Sequence, residues 1–221
     1  MKIIIISDLH LGGHHTRARA LLMFLSSLPP DATLVLNGDT LDHARKHMPP
    51  EHGQVLERLR ELSRTQPVIW LPGNHDEDVV LPDPAGIRFQ ADHAIGKRLY
   101  LAHGHHFDNI LVKNRKFFTM LRKLYDLRVH LGLKPVHVAA VAKKFPWLFR
   151  ILCRSLAGNA VQHAREQGFA AVTCGHVHHA EDLMIEGIRY INTGSWTEDM
   201  LHYLEVDEEG MRLVRVDPHG I

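Results

Sequence analysis

Five short clusters of oxygen and nitrogen ligands punctuate the chain. They are Ser7-Asp8-Leu9-His10, Asn37-Gly38-Asp39-Thr40-Leu41-Asp42, Gly73-Asn74-His75-Asp76, His103-Gly104-His105-His106 and Gly175-His176-Val177-His178-His179. Asp8 and His10 are two residues apart, so in an extended segment their side chains point the same way and can share one ion. His176 and His178 repeat that spacing. Mixed Asp, Asn and His donors suit Mn²⁺, Fe²⁺ or Zn²⁺, and no soft thiolate site accompanies them. Asp8, His10, Asp39, Asn74, His103, His176 and His178 make seven donors, whereas one tetrahedral ion needs about four. Two ions sharing a bridging carboxylate account for the set better. A pair about 3.5–4 Å apart is a recurrent arrangement for cleaving phosphoesters. The competing reading is a set of polar residues that merely cap strand ends.

The elements that must position these clusters read as an α/β protein. Ile3–Ile6, Thr33–Leu36, Val68–Leu71, Arg98–Ala102 and Ala170–Thr173 are apolar runs of the length expected for central strands covered on both faces. Helical spacing over Arg17–Leu28 and Val55–Leu62 separates the first three, which is the pattern of a sheet built with right-handed crossovers. Each cluster follows a strand, and open α/β sheets bind ligands beyond the carboxyl ends of their strands. Leu183–Ile191 and the pair Leu201–Val206 and Met211–Val216 alternate apolar and polar residues. With turns at Glu186-Gly187 and Glu209-Gly210, they read as hairpins in a second sheet or sheet half. The whole, 1–221, reads as one domain.

The 221 residues carry 26 Lys+Arg against 25 Asp+Glu, a net charge of +1. That balance is a cancellation. Residues 109–165 hold 12 Lys/Arg and one acid, Asp126, so the segment is +11 and the remainder −10. The segment has helical spacing broken by Gly132, Pro135, Pro146 and Gly158, and forms an insert at about 109–167. It interleaves its charges with Phe117, Phe118, Phe145, Trp147, Phe149 and Ile151. Such a mixture fits a membrane surface or an anionic amphiphile. It also fits a helical cap whose apolar stripe packs on the core. No nucleic-acid-binding motif accompanies the bases, so no nucleic-acid partner is expected. No run approaches the roughly 18 apolar residues of a membrane span. The four isoleucines after Lys2 are too few for a signal peptide and read as a strand. Two cysteines, Cys153 and Cys174, make no disulfide framework and are expected reduced in the cytosol.

The ordered set D-x-H, G-D-x-x-D, G-N-H-D, H-G and G-H-x-H, running from Asp8 to His178, resembles the calcineurin-like metallophosphoesterases. That resemblance implies a four-layer αββα sandwich of two mixed sheets, and a metal-dependent hydrolase of phosphodiester or diphosphate bonds. It assigns Asp8, His10, Asp39 and His178 to a first divalent ion. Asp39 would bridge to a second, completed by Asn74, His103 and His176; His103 is preferred to His105 and His106 because it closes the strand. His75 would stabilise the transition state or protonate the leaving oxygen, and Asp76 would orient His75. Asp42 is placed behind the ligands as a hydrogen-bonding group. His14, His15, His43, His47 and His179 are either substrate contacts at the rim or solvated loop residues. Asn192-Thr193-Gly194-Ser195-Trp196 reads as a structural turn beside the site.

Ser7 to Gly12, the helical insert after His103, and Gly175 to His178 followed by Tyr190 to Trp196 are similar to the UDP-2,3-diacylglucosamine hydrolase branch. The branch cleaves a nucleotide-activated lipid to UMP and a lipid phosphate in lipid A synthesis, and its insert receives acyl chains. This implies a pair of Mn²⁺ ions, a lipid-linked nucleotide substrate and a cytoplasmic protein able to touch the inner membrane face. The best-known members carry Arg at the position of His75, which points to a sister group with another substrate. Two rivals follow: a soluble phosphodiesterase of nucleotides or other small phosphodiesters, and a non-catalytic scaffold. The scaffold would require lost ligands, and all seven are present.

Overall fold

A computed structural model describes residues 2–42, 48–110, 120 and 145–216. His43, His47 and the part of the basic insert at 111–119 and 121–144 lie outside these described residues. The element order is β1(Ile3–Ile6), α1(Ala18–Ser26), β2(Thr33–Asn37), α2(Pro50–Ser63), β3(Val68–Leu71), β4(Arg88–Phe89), β5(His93–Ile95) and β6(Leu99–Leu101). A 3₁₀ turn, His105–Phe107, follows β6. Then come α3(Pro146–Glu166), β7(Ala171–Cys174), β8(Glu181–Ile185), β9(Ile188–Asn192), β10(His202–Val206) and β11(Met211–Arg215).

The strands form two mixed sheets, ordered β11-β10-β1-β2-β3-β4 and β5-β6-β7-β9-β8. Alternation along the fully buried strands divides the core into layers. Ile4, Ile6, Leu34, Leu36, Val68 and Trp70 face α1 and α2 through Leu21, Phe24, Leu25, Val55 and Leu59. Their neighbours Ile3, Ile5, Val35, Ile69 and Leu71 face the other sheet, meeting Leu99, Leu101, Ala171 and Ile191. On that sheet's far side Val172, Cys174 and Tyr190 pack under Leu156, Ala157, Ala160, Val161 and Ala164 of α3. Helix, sheet, sheet, helix is the four-layer sandwich that the resemblance implies.

Three features differ from the sequence reading. The two C-terminal hairpins join different sheets, β8–β9 the five-stranded and β10–β11 the six-stranded. The first closes through Glu186 (φ 47) and Gly187 (φ 82), a two-residue turn whose twist matches the strands. Strands β4 and β5 have two and three residues and were not anticipated, because segments that short carry no periodicity. Gly158 does not break its helix. Pro146 starts α3, where its missing N–H costs nothing, and the helix continues for 21 residues. One interior glycine costs about 1 kcal/mol, less than the burial of the surrounding Leu, Ala and Val stripe supplies. No helix among the described residues is long and apolar enough to cross a membrane.

Candidate metal centre

The carboxyl ends of β1, β2 and β3 meet those of β6 and β7 along one edge of the sandwich. Backbone hydrogen bonds staple the loops together: Asp8 N–H donates to Gly38 O (3.0 Å), His10 N–H to Asp39 O (2.9 Å) and Gly175 N–H to His103 O (2.9 Å). Asp8, His10, Asp39, His176 and His178 all have left-handed backbones, with φ between 49° and 70°. Non-glycine residues held there cost roughly 1 kcal/mol or more each, and such strain clusters at functional sites. At Asp8 the surroundings impose it: its carbonyl accepts from Trp196 N–H (3.1 Å) and from Ser195 Oγ (3.0 Å). Ser195 is thereby part of the supporting turn.

The first group of side chains is tight. His178 Nε2 lies 3.2 Å from Asp8 Oδ1 and 3.1 Å from His10 Nε2. His10 Nε2 is 3.8 Å from both Asp8 Oδ1 and Asp39 Oδ2. Asp39 Oδ2 then faces His103 Nε2 at 3.3 Å, both residues being buried. Asp39 therefore stands between the two groups. The other two residues expected at the second ion are not drawn in. Asn74 is exposed on the loop after β3. His176 directs Nε2 to Asp108 Oδ2 at 3.2 Å, and its N–H donates to the Asp8 carboxylate.

His75 caps this arrangement. Its N–H donates to Asp39 Oδ1 (2.8 Å), and its Nε2 is 3.9 Å from Asp39 Oδ2. The residue beside its Nδ1 is Asp42, through the carbonyl at 2.8 Å and Oδ1 at 3.4 Å. Asp42 Oδ1 is also 3.5 Å from His10 Nδ1, so one carboxylate backs both imidazoles. Asp76, expected to orient His75, is otherwise engaged. Its carboxylate accepts from Gly73 N–H (2.6 Å), Thr40 N–H (2.8 Å), Leu41 N–H (3.2 Å) and Trp70 Nε1–H (3.2 Å). Asp76 clasps the β2 and β3 loops, and the groups that face the His75 ring are the carbonyl and carboxylate of Asp42. The sign in the sequence was the second acid of G-D-x-x-D.

Burial alone would raise the Asp8 carboxyl, but the charges of His178 and His103 overcome it and hold it at about 2. Asp39 is likewise held well below the ordinary range, by His103, His10 and His75 against its burial. Burial works against a charged His103, yet Asp39 and Asp8 raise it to about 10. Burial also opposes charging His75, and its contacts to Asp42 win and raise it.

These residues fit a divalent metal. His103 Nδ1–H donates to Asn37 O (3.0 Å), which fixes the tautomer and leaves the buried Nε2, without a hydrogen bond among the described residues, as the donor atom. Three sets lie close enough to hold an ion: Asp8, His10 and His178; His10, Asp39 and His75; and Asp8, Asp39 and His103. Two glycines keep the approach open. A Cβ on Gly38 (φ +87) would meet the His103 ring at 2.3 Å, and one on Gly175 would meet Asp8 Oδ2 at 2.2 Å.

Among solved structures, Vps29 from Chaetomium thermophilum is 10% identical with a TM-score of 0.52, over 98% of this chain and 97% of its own. YfcE, a phosphoesterase from E. coli, is 18% identical with a TM-score of 0.48, over 98% of each chain. An archaeal phosphodiesterase is 14% identical with a TM-score of 0.48, over 98% of this chain and all of its own. The first supports the two-sheet fold. No curated protein sequence matches the chain. The profile of the calcineurin-like phosphoesterases matches residues 1–180, which takes in all five ligand clusters. The chain belongs to the calcineurin-like phosphoesterase family and is a metal-dependent phosphoesterase.

Proposed function

We propose that the enzyme hydrolyses the diphosphate of a lipid-linked nucleotide, of the UDP-2,3-diacylglucosamine type, to a nucleoside monophosphate and a lipid phosphate. In this reading 1–221 is one domain, and the protein is cytoplasmic and touches the inner membrane face through its basic insert. Asp8, His10, Asp39 and His178 would hold one ion, and Asp39 and His103 a second that Asn74 and His176, now outside the cluster, would complete, with Mn²⁺ preferred and Fe²⁺ or Zn²⁺ the alternatives. Bound ions of this kind polarise phosphoryl oxygens and lower the pKa of a coordinated water. The chain supplies the proton. His75 keeps its Nδ1–H on the Asp42 carbonyl, and its raised pKa favours the charged ring. Nε2–H is then the proton delivered to the leaving oxygen.

One observation carries the lipid part. Phe149 packs edge-on against His179 at 5.6 Å, next to the metal ligand His178. The same end of α3 leaves Phe145, Trp147, Leu148 and Ile151 exposed, with Arg150 and Arg154 exposed among them. An apolar, basic helix end beside a phosphoesterase centre suits an anionic amphiphile. UMP release from UDP-2,3-diacylglucosamine in Mn²⁺ tests the substrate, and its absence would sink the assignment. Trp147→Asp with Ile151→Asp is expected to raise KM for the lipid-linked substrate about tenfold and to leave bis(p-nitrophenyl) phosphate cleavage unchanged. The second reading, a phosphodiesterase of small diesters, draws on His75 standing where the lipid branch has Arg. It gains if both substrates respond alike.

A further inference from the structure

We propose that His105 is a substrate-binding residue whose imidazole hydrogen-bonds a phosphoryl oxygen of the bound phosphoester. His105 opens the 3₁₀ turn after β6, which Gly104 precedes at φ 108. Both of its ring nitrogens are buried, and neither has a hydrogen-bond partner among the described residues. A neutral imidazole presents one donor and one acceptor, and buried polar groups are nearly always satisfied. Two orphaned nitrogens on one ring therefore point to a partner that arrives from outside the chain.

The position says which partner. The His105 ring lies 5.6 Å from that of His103 and 6.4 Å from that of His176, both members of the ligand clusters at the strand ends. It also packs tilted against the His106 ring, which offers it no hydrogen bond. Asp108, at the end of the same turn, accepts from Ile110 N–H and pairs with His176. A phosphoester seated at the metal centre would place a non-bridging oxygen within reach of the His105 N–H. The inference rests on the phosphoesterase centre and not on the lipid-linked substrate.

Inorganic phosphate is the probe, titrated calorimetrically into the Mn²⁺-loaded full chain. His105→Phe keeps the shape and removes both nitrogens, and is expected to weaken phosphate binding about tenfold. Bound metal should be unchanged, and the melting temperature equal or higher, since a buried orphaned polar group has gone. His105→Gln restores an N–H donor and should recover part of the affinity. His105→Met supplies a second nitrogen-free variant if the phenyl ring does not fit. Unchanged phosphate affinity in the nitrogen-free variants would overturn the proposal. A loss of bound metal would overturn it too, making His105 part of the metal shell. Failure of the lipid-linked substrate assay would leave this result untouched.

Discussion

Asp42 and Asp76 show how differently two acids can serve one histidine's neighbourhood. Asp42 touches His75 and His10, whereas Asp76 gathers four N–H donors from the loops beneath. Asp42→Ala is therefore expected to lower kcat about 10- to 100-fold, with bound metal and KM little changed in steady-state assays. Asp76→Ala strands buried donors, and should lower unfolding stability by about 3 kcal/mol in denaturant titration. If both variants lose only turnover, the division of roles is wrong. The metal-free protein has its own pH signature. His103 is raised from 6.5 to about 10, so its contribution to stability is complete below pH 6.5 and declines as pH rises through 10. EDTA-treated protein should melt progressively lower over that window. Adding Mn²⁺ should remove the trend, because ligation displaces the proton.

At the scale of elements, strand ends and the loops after them do the positioning. Gly175 runs so close to Asp8 that any Cβ collides with the carboxylate at 2.2 Å and with Ser7 Oγ at 2.5 Å. Gly175→Ala is expected to abolish stoichiometric metal binding, measured by elemental analysis of the purified protein, while helix content stays normal. Helix α3 divides into two halves of different purpose. Its C-terminal half seals the five-stranded sheet through Leu156 and Val161, both essentially inaccessible. Leu156→Ala should cost about 2–5 kcal/mol, read from chemical unfolding. The exposed first turns should tolerate polar substitution. The sequence reading of a cap packed by an apolar stripe thus describes the second half of α3, while the first half leaves Trp147, Leu148 and Ile151 exposed, the surface that the proposed lipid-linked substrate would use. Central strands were legible to within a residue or so, because a short uninterrupted apolar run between turn residues needs cover on both faces. Gly158 was misread as a break, because a lone glycine's effect depends on what its helix packs against.

For the molecule as a whole, the metal centre sits where the two sheets meet. Asp8, His10 and Asp39 come from one sheet and His103 and His178 from the other. An ion held by this set would therefore tie the sheets together, and stripping it with a chelator should lower the melting temperature. With free metal at about 100 times its dissociation constant, the stabilisation recovered is about 2.7 kcal/mol. A melting temperature indifferent to metal would contradict a ligand set drawn from both sheets.

The sequence by itself determined the order of the five polar clusters and their placement at strand ends, because apolar runs and turn residues are local signals. It determined the charge split as well, which is simple counting. Only the tertiary structure decided that Asp42 backs His75, that the two hairpins join different sheets and that five Asp and His residues of the polar clusters sit at positive φ. Each depends on distant segments meeting. The β2 loop must reach the β3 loop before one acid or the other faces the imidazole. The left-handed backbone of Asp8 persists because the Trp196 and Ser195 turn, nearly two hundred residues away, holds it in place.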